Sequence, residues 1–345
     1  MELPSELRRA VDAALAGHSS TELARAAELL SGRYRAEIQD GKMHLAEDLA
    51  VKAYLAVRLP ATFAAVRAAM QSVGDLRPQW SPSSLLDVGS GPGTAIWAAE
   101  SRWTTLRAVT AVEGSAAARI VGSQLRGAGT AGPLGRAEDS GANAVGTSAP
   151  SGRAQPRWLD LDLNGGLPGV AAHDLVTAAY VLNELTAGQQ LALVDRLWAL
   201  TADTLLIVEP GTPAGWRRIL AARGALIGAG AHLIAPCPHA HACPLVAPDW
   251  CHFARRVART RIHQAVKGGE LAWEDEKYLY LAVSRAAAAS PPYARVLVPP
   301  RQASGRAYLK LCTPEGAAVE RLVSRREGAV YKSARRSEWG DSFPQ

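Results

Sequence analysis

The chain has 345 residues, 48% hydrophobic and 20% charged, an ordinary globular balance with room for one large domain plus appendages or for two domains. No apolar run approaches the roughly 18 residues a membrane-spanning helix needs, so no membrane partner is expected. The formal net charge of +6 suits an anionic partner, and its distribution says more than its sum. Arg255, Arg256, Arg259, Arg261 and Lys267 crowd one segment; Arg321, Arg325, Arg326, Lys332, Arg335 and Arg336 crowd another.

The first residues carry Glu2 and Glu6 and no apolar stretch of the kind a leader peptide needs, which gives the expectation of a cytoplasmic location. Over 5–75, apolar residues recur three and four apart, as in Leu23, Ala26, Ala27 and Leu30, and predict helices. Pro60 suits the first turn of a new one. From 84 onward short apolar strands alternate with helices: strands at 84–88, 107–112, 158–163, 174–179 and 204–208, with a helix opening at 94. This order predicts an α/β fold with a parallel sheet and right-handed crossovers. The stretch 127–156, rich in Gly, Ala, Ser and Thr, reads as a flexible insertion without a site. Beyond 230 come prolines, histidines and cysteines, then a basic helix at 251–267, then strands at 295–298, 307–311 and 318–323 that form a small β unit. The expected regions are 1–78, helical; 79–230, nucleotide-binding; and 231–345, cysteine-rich and basic.

The strongest local signal is Leu85-Leu86-Asp87-Val88-Gly89-Ser90-Gly91-Pro92-Gly93-Thr94, a strand entering a glycine turn that opens a helix. Glycines permit the tight turn and let a ligand approach bare backbone. The spacing is not that of the dinucleotide fingerprint, because Gly93 comes one position early. With Asp87 two residues before the first glycine, it resembles motif I of class I methyltransferases, which bind S-adenosylmethionine. Glu113, ending the second strand, is placed to accept both ribose hydroxyls. Asp160 or Asp162, ending the third, could receive the adenine amino group or be merely solvated. Asn183 and Glu184 follow the fourth strand at the edge that faces the transferred methyl in such folds, or else cap the next helix. Glu209, after the fifth, could face the pocket or cap a helix. No residue stands out as a catalytic group.

All four cysteines, Cys237, Cys243, Cys251 and Cys312, lie after residue 236. Three readings compete: a four-thiolate metal centre, a nucleophile at Pro236-Cys237, or buried structural thiols. The nucleophile leaves three cysteines idle, and buried thiols leave the clustering unexplained. The gaps are wider than common zinc patterns, and a distant fourth ligand suits an iron–sulfur cluster better.

Several segments together resemble a known family, the methyltransferase-like assembly factors of the small ribosomal subunit. They are Arg58-Leu59-Pro60-Ala61-Thr62, the glycine loop, Val208-Glu209-Pro210-Gly211-Thr212-Pro213, and Ala235-Pro236-Cys237-Pro238-His239. Cys243-Pro244-Leu245, Trp250-Cys251-His252-Phe253, Trp273-Glu274-Asp275-Glu276-Lys277-Tyr278 and Trp339-Gly340-Asp341 complete the set. The resemblance implies a Rossmann-like methyltransferase fold with bound S-adenosylmethionine. It also implies a [4Fe–4S] cluster on Cys237, Cys243, Cys251 and Cys312, with zinc as the alternative, and association with small-subunit rRNA. Two functions follow from it: an rRNA methyltransferase, or a non-catalytic assembly factor that retains cofactor and cluster.

Overall fold

A computed structural model describes residues 1–36, 43–127, 153–163, 166–268, 270–287 and 293–344. Most of the insertion expected at 127–156 lies outside the described residues. The N-terminal layer consists of α1 (Ser5–Leu15), α2 (Ser20–Ala36), α3 (Asp48–Val57) and α4 (Leu59–Leu76). Their apolar spacing explains their packing: Leu7, Val11 and Leu15 form one buried stripe, and Leu23, Ala27 and Leu30 another. Pro60 sits in the first turn of α4, where its missing N–H costs nothing, and the chain bends 61° between α3 and α4. Among the described residues no single helix is long and apolar enough to cross a membrane.

The first sheet is built from β1 (Ser84–Val88), β2 (Ala108–Val112), β3 (Arg157–Leu159), β4 (His173–Ala179), β5 (Thr201–Pro210), β6 (His232–Ala235), β7 (Phe253–Ala258) and β8 (Trp273–Ser284). Its order is β3-β2-β1-β4-β5-β8-β6, with β7 also on β8. The strands β1 to β5 pair in parallel, whereas β8 runs antiparallel to β5, β6 and β7. The sheet is therefore mixed, not wholly parallel as the sequence suggested. Helices α5 (Thr94–Glu100), α6 (Ala116–Leu125), α7 (Ala187–Ala199) and α8 (Pro213–Gly228) supply the crossovers. Successive strand residues point to opposite faces. Leu85 joins the core under the N-terminal layer, α5 and α6, while Leu86 joins the one under α7 and α8.

The segment 251–267 is not one helix. It forms β7 and then, after Thr260 caps His263 N–H, the short α9 (Arg261–Lys267). Phe253 and Val257 are both buried, a spacing that a helix and a strand share; pairing along β8 decides for the strand.

The first sheet runs through residue 230, since β6, β7 and β8 belong to it. A second, five-stranded sheet begins only at 294: β9 (Ala294–Val296), β10 (Arg301–Ala303), β11 (Arg306–Cys312), β12 (Ala318–Ser324) and β13 (Ser342–Phe343), with α10 (Ala329–Arg336) packed on it.

Candidate functional site

The glycine turn leaves β1 with Gly89, Gly91 and Gly93 at φ of +66°, +52° and +85°, a region that side chains disfavour. A Cβ on Gly89 would also stand 2.5 Å from Val181 Cγ2. The turn delivers the Gly91 N–H to Glu113 Oε2 at 2.7 Å, and Glu113 Oε1 accepts from Ser115 N–H at 2.8 Å. Arg119 braces the acid's backbone, donating to Glu113 O (2.6 Å) and Gly114 O (3.0 Å), and reaches Asp160 Oδ2 at 2.8 Å. Asp87 accepts from Thr177 Oγ1 at 2.6 Å, while its Oδ2 is buried without a hydrogen-bond partner. Burial, with the charge of Glu113 adding to it, pushes the Asp87 carboxyl up to about 7.

These groups line a cavity of about 1720 Å³, larger than the roughly 300–1,000 Å³ usual for one small ligand. Asp87, Gly89, Ser90, Gly91, Glu113, Asp160, Asp162 and Asn183 all lie on its wall. Gly93 does not: it faces Ile96 and Trp158, and serves as the left-handed residue that opens α5.

Beyond β4, residues Leu182–Glu184 form a 3₁₀ turn. Neither Asn183 nor Glu184 caps the next helix; Thr186 and Gln189 do so as a capping box. Asn183 is buried with its Oδ1 unpartnered. Burial and the charges of Glu113 and Glu209 push Glu184 up to about 8, and His44 Nδ1 lies 3.4 Å from its Oε1. Glu209 neither faces the cavity nor caps α8, whose cap is Thr212. Fully buried, it accepts from Leu182 N–H (3.1 Å) and from Arg218 Nε (2.7 Å), and so fixes the turn that carries Asn183. Arg218→Met should therefore lower unfolding free energy by about 3–5 kcal/mol, because it removes a cation from a buried carboxylate. Arg256→Ala, at an exposed ion pair with Asp275, should leave the urea midpoint unchanged. Equal midpoints for the two variants would remove that role for Glu209.

Sequence reasoning missed the opposite wall. Arg58 forks onto Glu276 at 2.9 and 3.2 Å, and Tyr180 OH donates to Glu276 Oε1 at 3.0 Å. Tyr180 holds φ of +60°, the one described non-glycine residue with positive φ. Arg58 and Glu276 each fall in a segment singled out above, but 218 positions separate them and the packing of α4 on β8 brings them together.

Cys237, Cys243, Cys251 and Cys312 line a second, apolar cavity of about 40 Å³ with Trp216 and Leu297. Cys312 comes from the end of β11, and the other three from the loop between β6 and β7. Arg223 holds that loop by donating to His239 O (2.7 Å) and His241 O (2.8 Å); Arg295 donates to Pro236 O (2.9 Å) and Gly340 O (2.7 Å). The Cys312 Sγ lies 3.3 Å from His239 Nε2. All four thiols are free of disulfides. Burial, then their mutual repulsion, pushes Cys312 up to about 12 and Cys251 well above the ordinary thiol value. Cys237 is raised as well and does not line the larger cavity, which argues against the nucleophile reading. Among the described residues no group of three or more His, Cys, Asp or Glu is arranged to hold a metal ion.

The two basic segments also differ. In the first, Arg256 pairs with Asp275 (3.1 Å), Arg259 and Lys267 with Glu274 (3.0 and 2.9 Å), and Arg255 with Glu338 (3.9 Å). Three of its five cations thus pair with Asp275 and Glu274 of β8.

The mixed sheet and its glycine turn define an α/β chain with an acid-lined, ligand-sized cavity at the ends of β1 and β2. The chain belongs to the family described as mitochondrial small ribosomal subunit Rsm22, whose model matches residues 48–344. It is similar to the human protein named "Ribosome assembly protein METTL17, mitochondrial", with 29% identity over 312 residues, covering 84% of this chain and 62% of the relative. Two Rsm22-cox11 tandem mitochondrial proteins of Schizosaccharomyces pombe share 23% identity over 219 residues, covering 50% of this chain and 29% of theirs. The chain thus spans less than two thirds of each of these relatives. Among solved structures, magnesium protoporphyrin IX methyltransferase from Synechocystis with bound SAH is 15% identical, with 74% of this chain and 94% of that one covered and a TM-score of 0.39. The cytoplasmic location expected from the first residues is overturned: the family description and all three relatives' names are mitochondrial, which points to the mitochondrion instead.

Proposed function

We propose that the chain is a methyltransferase-like assembly protein of the small ribosomal subunit that binds S-adenosylmethionine at the glycine turn and a [4Fe–4S] cluster at the four cysteines. The cofactor reading rests on one observation above others: a buried carboxylate oxygen of Asp87 without a partner, on a cavity wall of bare glycine backbone. A ligand with a cationic amino-acid end and a hydroxyl-bearing sugar fits that wall. Asp87 would face the methionine end and Glu113 the ribose hydroxyls. Asp160 or Asp162 would lie on the adenine side, and Asn183 beside the methyl. The bound cofactor supplies an electrophilic methyl group, and displacement at that carbon needs mainly alignment and a dry cavity. The chain's part is to hold the donor and exclude water, and no catalytic residue is assigned.

For the cluster, the donor set is four soft sulfurs in an apolar cavity, with the Arg223 and Arg295 guanidinium groups near enough to lower the thiols' affinity for protons. Those cations offset the negative charge of four thiolates. The second reading, assembly without methyl transfer, is favoured by the cover over Glu184. His44 meets that acid and Tyr34 packs edge-on against His44 (4.8 Å), so the chain's own side chains stand where an incoming base would approach.

The test is to incubate the anaerobically purified protein and labelled S-adenosylmethionine with small ribosomal subunits from cells lacking this gene. Label in the rRNA that disappears with Gly91→Arg supports the enzyme. No label, from protein that binds both cofactor and subunits, supports the non-catalytic reading. Failure to bind subunits at all overturns the proposal.

A further inference from the structure

Residues 294–344 hold ten Lys and Arg against five Asp and Glu, so they contribute +5 of the chain's net +6. The fold gathers these cations at one end of the second sheet. Arg301 opens β10 opposite Tyr308, and Arg306 opens β11 directly after the two-residue turn. Arg325 N–H donates to Gly305 O (2.9 Å), which sets the turn Arg325–Glu327 beside it. Gln302 Nε2 donates to Arg335 O (2.9 Å) and brings the C-terminal end of α10 to the same place. Arg301, Arg306, Arg325, Arg326, Arg335 and Arg336 are all exposed, and none pairs with a carboxylate among the described residues.

An aromatic surface lies among them. On β11, Ala307, Leu309 and Leu311 point into the small core, so Tyr308 is turned to the outer face of the sheet. Arg301 lies over its ring at 5.1 Å, and its cross-strand partner Leu322 is half exposed. Guanidinium groups fork onto phosphate oxygens, and a ring with a stacked guanidinium accepts the face of an unpaired base. A bilayer surface would be met equally well by lysines and would need a larger apolar anchor than Leu322 offers.

We propose that this end of the second sheet, with Arg301, Arg306, Arg325, Arg326, Arg335 and Arg336 around Tyr308, binds single-stranded RNA. The inference rests on the ribosomal reading above and assigns its RNA contact to one of the two basic segments. Phosphates meet the arginines, and one base stacks at Tyr308. In the first basic segment four of the five cations already meet carboxylates, and it is given no part.

The full chain is titrated into fluorescent single-stranded RNA of mixed sequence at several salt concentrations. Arg325→Glu/Arg326→Glu should weaken binding on the order of 30-fold and reduce the salt slope by about 2. Arg325→Lys/Arg326→Lys should keep most of the affinity. Tyr308→Leu should cost about tenfold with the slope unchanged, since stacking carries no counterion release. Wild-type affinity in the double glutamate variant would overturn the assignment, as would tighter binding to phosphatidylglycerol vesicles than to RNA. If that variant still binds small subunits fully, only this surface fails; if the wild-type chain binds neither RNA nor subunits, the ribosomal reading fails with it.

Discussion

Cys243→Ser is expected to remove the iron from the protein and to melt the second sheet well before the first. The four cysteines come from two bodies: three from the loop between β6 and β7, and Cys312 from β11 of the second sheet. A group bound by all four would staple one sheet to the other. The apolar contact between them is modest: one small cluster buries Leu245, Leu297 and Cys312, and Trp339 packs on His252 and the first core. The second sheet's own core is also small, built on residues such as Val296, Leu309, Leu311, Val323 and Phe343, and a core of that size is marginal alone. Ligand binding energy then stabilises only the folded arrangement. Loss of one thiolate should cost several kcal/mol and lower the first melting transition by roughly 10 °C. Cys312→Ser should give the same result from the other side of the joint, with loss of the brown chromophore in both. Iron content and melting unchanged in either variant would sink the cluster, and zinc recovered in place of iron would turn the reading to the alternative metal.

Why the glycine turn was legible and the opposite wall was not follows from how far each constraint reaches. Gly89 and Gly91 need positive φ whatever the rest of the chain does, and Glu113 meets Gly91 because the adjacent parallel strands β1 and β2 end together. Such demands are local and leave a residue-type signature. Arg58, Tyr180 and Glu276 carry no such signature. Their meeting depends on β8, whose first half is Trp273 followed by four charged residues, Glu274 to Lys277, along the stretch that pairs with β7. Read alone, that stretch offers no apolar alternation, so the antiparallel strand that makes the sheet mixed went unseen. The same strand explains why 251–267 does not read as a strand: Arg255 and Arg256 opposite Glu276 and Asp275, with Arg259 reaching Glu274 from just beyond β7, look in sequence like the basic face of a helix. The four cysteines were legible as a group because they converge on one cavity, but their spacing alone said nothing of Arg223 and Arg295, which arrive from α8 and β9.

Gly91→Arg should abolish S-adenosylmethionine binding, and Asp87 should make the wild-type affinity depend on pH. At Gly91 a Cβ would meet only Leu45, at 3.6 Å, so space is not the first objection to a side chain. The objections are a φ of +52° and a position on the cavity wall. Gly91→Ala should thus cost about tenfold through backbone strain, whereas an arginine chain adds bulk at the part of the wall the ligand must approach and should cost more than about 100-fold. Asp87 adds a second, independent signature. Burial raises its carboxyl to about 7, so between pH 4 and 7 the folded protein keeps a proton that the unfolded chain has lost. Stability from this group is fully present below pH 4 and is lost as pH rises through 7. Glu113 and Glu184, raised in the same direction by burial, reinforce that slope. A ligand that brings a cation to Asp87 needs the ionised carboxylate, so affinity should move the opposite way, gaining about tenfold from pH 6 to pH 8 with a proton released on binding. Calorimetric titration at both pH values, in two buffers of different ionisation enthalpy, reads the affinity and the proton together. Asp87→Asn should flatten both responses. An affinity in the wild-type chain that does not change with pH would put the cationic end of the ligand elsewhere, and with it the reason for an unpartnered carboxylate oxygen at the end of β1.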